Sequence, residues 1–166
     1  MQRRVIRSLT TLLVGLALSL LIAGPATAGY IAGPEQAFTG HFYSPSRNLH
    51  YCGVAHSQIG DINSQASGWA FTRPALFYIL CNTATSTTLP AGYLATQAIL
   101  TRNGSICSAT PYVPNDRETY ILGVQTFGCT NPPGWQEWMT VGGHRILNES
   151  NFQTPTATTV SPWALY

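Results

Sequence analysis

The stretch Ile99-Leu-Thr-Arg-Asn-Gly-Ser-Ile-Cys107 carries the sharpest local structural signal in the chain. Its Asn103-Gly104 dipeptide separates two apolar runs and favours a two-residue hairpin turn, because both central residues of that turn need a positive φ. The stretch therefore predicts two antiparallel strands, 91–102 and 105–110, joined by a tight turn.

On both sides of this hairpin, the 15 Gly and 11 Pro residues punctuate short runs rich in Thr, Val, Ile, Tyr and Phe. This composition is typical of short strands and disfavours long helices. We therefore expect an all-β fold, a small disulfide-bonded β-sandwich or barrel-like domain. The predicted strands are 37–44, 48–55, 68–72, 75–82, 91–102, 105–110, 119–129, 137–141, 144–148 and a terminal piece near 158–164.

Two further segments give specific structural expectations. Residues 75–81 (ALFYILC) are continuously apolar, which is typical of a central strand buried on both faces. Residues 55–68 show no obvious secondary-structure pattern and are predicted to form a loop, long enough to suggest a functional or mobile segment.

The N-terminus has the three parts of a secretory signal peptide. A basic segment, 1–7, precedes an apolar run, 12–23, and Ala26-Thr27-Ala28 supplies the small residues that a signal peptidase reads. Twelve apolar residues span about 18 Å as a helix, short of the roughly 30 Å hydrocarbon core of a membrane. We therefore expect cleavage before Gly29, a secreted single domain over 29–166 and no membrane span in the mature form.

The charge of the chain excludes several classes of partner. Only 8% of its residues are charged, and its eight basic residues are all Arg, three of them in the segment 1–7. The remaining five Arg face six acidic residues, so the predicted mature chain carries a net charge of −1. Nucleic-acid binding and polybasic attachment to a membrane surface both need clustered cations, and neither is expected.

Four cysteines remain in the predicted mature chain: Cys52, Cys81, Cys107 and Cys129. An even number in a secreted domain predicts two disulfides, whereas zinc sites usually have closely spaced ligand pairs. Three pairings are open. The repeated pattern Arg-Asn-x-x-apolar-Cys at 47–52 and 102–107 suggests an internal duplication, and pairing within each half would give Cys52–Cys81 and Cys107–Cys129.

The segment 89–107 (LPAGYLATQAILTRNGSIC), followed by Asn115, Cys129 and a late Ser161-Pro162, resembles a group of small secreted actinobacterial proteins. The similarity covers about the last 80 residues, and the absence of Lys suits a high-GC genome. The resemblance implies secretion, a β fold and a Cys107–Cys129 pair. It implies no activity, substrate or functional residue.

The polar residues offer a weak metal or catalytic hypothesis. His50, His56 and Asp61 lie within twelve residues, with His41 upstream, and imidazole and carboxylate groups suit zinc or copper. Their spacing fits no known ligand motif, and we interpret them as ordinary strand and loop residues. A triad with Ser57 lacks a nucleophile elbow. We therefore predict no cofactor, no metal and no enzymatic activity.

Two surface features support binding instead. Residues 108–118 contain two prolines and display Tyr112 and Arg117, as a protease inhibitor's rigid loop does. Trp135, Trp138 and His144 form the candidate binding surface, although the spacing of the tryptophans lets a strand display only one of them. The alternative is packing in the core, where large aromatic side chains usually lie.

The sequence therefore predicts a secreted, non-enzymatic β-domain protein that acts outside the cell by surface binding or as a structural component. Its expected partner is a cell-envelope polymer, a polysaccharide or a protein, and we expect a monomer. A small secreted hydrolase and an extracellular protease inhibitor are the alternatives.

Overall fold

The computed structural model of the chain describes residues 29–38, 40–62, 65–128 and 135–165. These residues form thirteen strands in two antiparallel sheets that pack face to face, which confirms the expected all-β, sandwich-like fold. No helix in this part of the chain is long and apolar enough to cross a membrane. The strands are β1 (Ile31–Ala32), β2 (Gln36–Ala37), β3 (Phe42–Ser44), β4 (Leu49–Ile62), β5 (Gln65–Phe77), β6 (Cys81–Ser86), β7 (Leu94–Arg102), β8 (Ser105–Ala109), β9 (Val113–Pro114), β10 (Leu122–Phe127), β11 (Glu137–Ile146), β12 (Thr156–Val160) and β13 (Ala164–Leu165).

The first sheet has the strand order β1-β4-β5-β10, with β2 and β3 also paired to β4 and β6 paired to β5. The second sheet has the order β12-β11-β7-β8, with β13 paired to β11 and β9 paired to β7. Strands β4, β5 and β10 contact strands of the second sheet across the core. The two central strands of the first sheet, β4 and β5, are therefore paired on both sides and covered on one face.

The turn predicted at Asn103-Gly104 is confirmed. Asn103 has a φ of 48° and Gly104 a φ of 75°, and β7 pairs with β8 across Arg102 and Ser105. Asn48, at the matching position of the repeated pattern, also has a positive φ of 49°. The likeness ends at the turn, because β4 is a central strand of its sheet whereas β8 pairs only with β7.

The prediction of a loop at 55–68 is wrong. In the described part of this stretch, strands β4 and β5 form a long antiparallel pair, which extends from Tyr51 with Leu76 to Ile62 with Gln65. Several positions that face the core here carry small or hydroxyl side chains, Ser57 and Thr72 among them, and both are fully buried. Because their hydroxyls are satisfied by partners on the second sheet, the strand lacks the apolar alternation that sequence patterns detect.

The prediction of a buried central strand at 75–81 is also wrong. Strand β5 ends at Phe77, and β6 starts at Cys81, which pairs directly with Phe77. Tyr78, Ile79 and Leu80 form the connecting turn, here called the 78–80 turn, and are 71%, 91% and 78% exposed. Apolar composition alone therefore did not distinguish a buried strand from an exposed hairpin tip.

The two strands expected at 137–141 and 144–148 are one strand, β11, which passes through Gly142 and Gly143. A Cβ on Gly142 would collide with Ser57 Oγ, and a Cβ on Gly143 would lie 2.6 Å from the Tyr112 hydroxyl. Glycine is needed here because neighbouring side chains approach the backbone closely, rather than because the strand breaks.

The core has an apolar cluster towards each end of the sandwich. One contains Tyr51, Leu94 and Ile146, and the other is built around Ile59, Leu100 and Trp138. Buried hydroxyl groups and one imidazole link the two sheets between these clusters.

The disulfide predicted between Cys52 and Cys81 is confirmed, with Cα atoms 5.7 Å apart. It links β4 to the start of β6, at the base of the 78–80 turn. Cys107 is also disulfide-bonded. Cys129 lies outside the described residues, as does the predicted signal peptide at 1–28. The Cys107–Cys129 pairing and the cleavage before Gly29 therefore stay predictions.

We expect the exported protein to begin at Gly29 and to contain no free thiol. Intact-mass measurement with and without alkylation checks both points, and peptide mapping without reduction should recover a peptide joining Cys107 to Cys129. Uptake of the alkylating reagent before reduction would contradict the expectation.

Candidate functional site

The three residues expected to form a binding surface are not all at the surface. Trp135 is 81% exposed, whereas Trp138 and His144 are fully buried. Trp138 belongs to the core cluster around Ile59 and Leu100. A macromolecule that binds the folded protein can therefore touch only Trp135 of this set.

His144 lies in a chain of buried hydrogen bonds between the sheets. Its Nδ1 lies 2.8 Å from Thr72 Oγ1 and its Nε2 2.6 Å from Thr159 Oγ1. Thr72 continues the chain to Thr96, and Thr159 continues it to Ser57. Burial lowers the pKa of His144 to about 4, so the imidazole is neutral at pH 7. All five side chains are almost fully enclosed, so this chain joins the sheets and is closed to a ligand.

Of the residues of the weak metal and catalytic hypothesis, His41 and His50 are brought together, whereas His56, Ser57 and Asp61 do not join them. His56 and Ser57 are neighbours on β4 and project to opposite faces, Ser57 into the core and His56 outward. Asp61 lies on β4, and its Oδ1 is buried without a hydrogen-bond partner among the described residues. Within the described ranges, no three His, Cys, Asp or Glu residues are grouped in a way that could hold a metal ion.

The segment 108–118, expected to resemble an inhibitor loop, lies against the second sheet. The guanidinium of Arg145 sits 3.7 Å from the centre of the Tyr112 ring, which contacts the β11 backbone at Gly143. Asn115 is buried and its side chain accepts a hydrogen bond from the backbone N–H of Leu94. Tyr112 is therefore held on the sheet, although Arg117 is exposed.

A group of aromatic side chains lies on the face of the first sheet that points away from the core. Residues at alternate positions of β4, β5 and β10 share this face, because side chains along a strand alternate between its two sides. The register puts His56 beside Phe71, and it flanks Trp69 with Gln58 on one side and Gln125 on the other. We call this surface the outer aromatic face; its members are Tyr30, His56, Gln58, Trp69, Phe71, Gln125 and Phe127.

The rings of this face are ordered against one another. Trp69 and Phe71 have nearly parallel planes, 7° apart, with ring centres separated by 5.6 Å. His56 stacks on Phe71 at 4.9 Å, and Tyr30 meets Trp69 edge-on at 6.3 Å. Such contacts fix the ring orientations before a ligand arrives, which lowers the entropy cost of binding.

Two glycines let the rings lie close to the sheet. A Cβ on Gly123 would lie 2.8 Å from the Phe71 ring, and a Cβ on Gly60 would collide with Tyr30. With side chains at these positions, both rings would be pushed outward. The glycines therefore let the Phe71 and Tyr30 rings lie close to the sheet.

Three buried polar atoms on this face have no hydrogen-bond partner among the described residues. They are Trp69 Nε1, Gln125 Nε2 and Ser67 Oγ, on adjacent positions of β5 and β10. A buried polar group without a partner costs about 1–3 kcal/mol, so folded proteins seldom keep one without a reason. Here three occur together beneath one aromatic surface.

The face is close to electrically neutral. Arg73, the one Arg that projects outward from β4, β5 or β10, forms an ion pair with Glu35 at 2.9 Å. Burial lowers the pKa of His56, with the nearby Glu35 carboxylate acting in the opposite direction, so His56 is neutral at pH 7.

A second aromatic stack lies on the same side of the sheet, near the 78–80 turn. Tyr43, His50, His41 and Phe77 follow one another with ring centres 4.4–4.7 Å apart. His41 Nε2 and His50 Nδ1 are 2.5 Å apart and share a hydrogen bond. His41 and His50 thus have aromatic partners on both faces, in keeping with ordinary surface packing.

Sequence reasoning missed the outer aromatic face, although one signal for it was present. Trp69 and Phe71 are two residues apart, and this spacing places both on one face of any strand that contains them. The other contributors, Tyr30 and Gln125, come from distant parts of the chain and reach the face only through strand pairing.

Comparison with known proteins returns no matching family model, no matching curated protein and no matching solved structure. The resemblance to small secreted actinobacterial proteins thus stays a prediction, and the candidate site rests on its own geometry.

Proposed function

We propose that this chain is a non-enzymatic protein that acts outside the cell by surface binding, and that the outer aromatic face is its contact surface. The observation that carries the proposal is the row of Trp69 between Gln58 and Gln125, beside the stacked pair of His56 and Phe71. Aromatic groups are enriched at binding interfaces because they offer a large apolar area with little side-chain freedom to lose.

The shape of the face supports this role. Its residues lie on a paired, rigid sheet, and neither of the two cavities described, at 102–107 and 115–123, contains any of them. A sheet surface outside these cavities suits contact with an extended ligand, whereas catalysis on a small substrate usually takes place in a concave site.

Replacing Trp69 by alanine is expected to weaken retention on the extracellular target about tenfold, since an aromatic contact contributes about 1 kcal/mol or more. The test incubates the 29–166 chain with cell-envelope fragments, insoluble polysaccharides and culture proteins, and compares bound fractions. Tyr30→Ala provides a second variant, because Tyr30 lies outside the strands and edge-on to Trp69.

The matched control is Trp135→Ala, which removes a more exposed tryptophan from outside the face. It should leave retention unchanged. Loss of retention in Trp135→Ala with none in the Trp69 and Tyr30 variants would move the contact surface away from the outer aromatic face and contradict the proposal.

Activity assays on the same protein preparations test the two alternative functions, a secreted hydrolase and a protease inhibitor. Turnover of a glycan, ester or peptide substrate would favour a hydrolase. Inhibition of a protease that is abolished by Ile79→Asp would favour an inhibitor that uses the protruding 78–80 turn, whose base is joined by the Cys52–Cys81 disulfide.

A further inference from the structure

The chemistry of the outer aromatic face indicates which class of ligand it binds. Resting on the proposed function, we infer that the ligand is an uncharged polysaccharide whose sugar rings pack against Trp69 and Phe71 and whose hydroxyls bond to the side chain of Gln125.

The ring geometry suits sugars because a pyranose presents an apolar face of C–H groups and an equatorial rim of hydroxyls. Trp69 stacks with Phe71 at 5.6 Å and meets Tyr30 edge-on, so the three rings form an ordered apolar cluster against which C–H groups can pack. Gln58 and Gln125 flank Trp69 in register, so amide groups lie where a rim of hydroxyls would be.

The unpartnered polar atoms point to a ligand rich in hydroxyl groups. Trp69 Nε1 and Gln125 Nε2 are donors, and Ser67 Oγ can donate or accept. All three atoms are buried. A ligand hydroxyl that reaches the Gln125 amide gives it the partner that it lacks. Binding then offsets a cost that the unbound fold carries.

Charge disfavours an anionic polymer. The only cationic group that projects from this face, Arg73, is engaged by Glu35 within the described part of the chain, and His56 is neutral at pH 7. A polyanion would lose solvation without gaining a counter-charge. An uncharged polymer avoids that loss.

Strand position disfavours an extended peptide. Peptides that bind sheets usually add a strand to an open edge, where backbone groups are unpaired. The central residues of the face lie on β4 and β5, whose backbones are paired on both sides. At its centre, on β4 and β5, the face therefore offers side chains alone.

The test measures depletion of the 29–166 chain by suspended cellulose, chitin, xylan, mannan, curdlan and starch, with heparin beads and immobilised gelatin as the charged and peptide probes. We expect at least one uncharged polysaccharide to deplete the protein. Gln125→Ala should weaken that binding about three- to tenfold, as loss of one or two hydrogen bonds predicts. Raising NaCl to about 1 M should leave it unchanged.

Gln153→Ala is the control, because it removes an exposed amide from the turn after β11 and should have no effect. Depletion by heparin or gelatin alone, lost in Trp69→Ala, would overturn the polysaccharide inference and leave the proposed function standing. Failure of every uncharged polysaccharide to deplete the protein would also overturn it. If the protein is retained on a polysaccharide and neither Trp69→Ala nor Gln125→Ala weakens that retention, both proposals are contradicted.

Discussion

Replacing Trp138 by alanine is expected to lower the free energy of unfolding by about 3–5 kcal/mol, the usual cost of deleting a large buried aromatic side chain. Trp138 is fully buried, packs with Ile59 and Leu100, and has the Arg102 guanidinium 5.9 Å from its ring centre. Two sheets fix the walls of this space, so it cannot collapse to fill the cavity. Urea unfolding followed by circular dichroism measures the change.

Trp135→Ala is the matched control for this measurement. Its side chain is 81% exposed, and substitutions at such surface positions usually change stability by no more than about 0.5 kcal/mol. Equal losses in the two variants, or a larger loss at Trp135, would mean that the sandwich core is not arranged as described.

Acidification from pH 7 to pH 5 is expected to remove about 2 kcal/mol of stability through His144. The pKa of His144 is about 4 in the folded chain and near 6.5 when unfolded, so the unfolded state binds the proton first. Its contribution is complete above pH 6.5 and is lost as the pH falls towards 4. The lowered pKa values of Glu118 and Glu149 change the free energy of unfolding mainly below about pH 4.5, where unfolded glutamates take up protons.

His144→Gln isolates this effect. Glutamine keeps an uncharged hydrogen-bonding group between Thr72 and Thr159 but cannot take up a proton in this range. The variant should be less stable at pH 7 and should show a smaller fall in stability between pH 7 and pH 5. An unchanged pH dependence would show that His144 is not the group that titrates.

Local signals in the sequence predicted local structure correctly. The Asn103-Gly104 turn follows from the backbone geometry that two residues prefer, and the short strands follow from composition and punctuation. The Cys52–Cys81 pair also agrees with pairing within each half of the repeated pattern. None of these features depends on knowing which strands become neighbours in space.

Burial was harder to predict, because it depends on the opposite sheet. The spacing of Trp135 and Trp138 shows that a strand displays only one of them but not which one, and β11, which passes through Gly142 and Gly143, buries Trp138 and His144. Conversely, Ile79 and Leu80 continue an apolar run but form an exposed turn. In each case the deciding contacts come from residues far away along the chain.

Part of the outer aromatic face can be predicted from the sequence. The Trp69-Ala70-Phe71 alternation places two rings on one side of the strand that the sequence predicts at 68–72. Tyr30 and Gln125 join them only because β10 and the segment around β1 pair with this sheet. The unpartnered atoms beneath the rings have no counterpart in any sequence pattern.

Tryptophan side-chain NMR tests the contact surface most directly. The chain has four tryptophans, Trp69, Trp135, Trp138 and Trp163, and each gives one indole N–H signal that a single Trp→Phe variant assigns. Soluble fragments of the material that retains the protein are added in steps. The account predicts that the Trp69 signal moves with the bound fraction while those of Trp135 and Trp138 stay in place. Movement of the Trp135 signal with an unchanged Trp69 signal would contradict it.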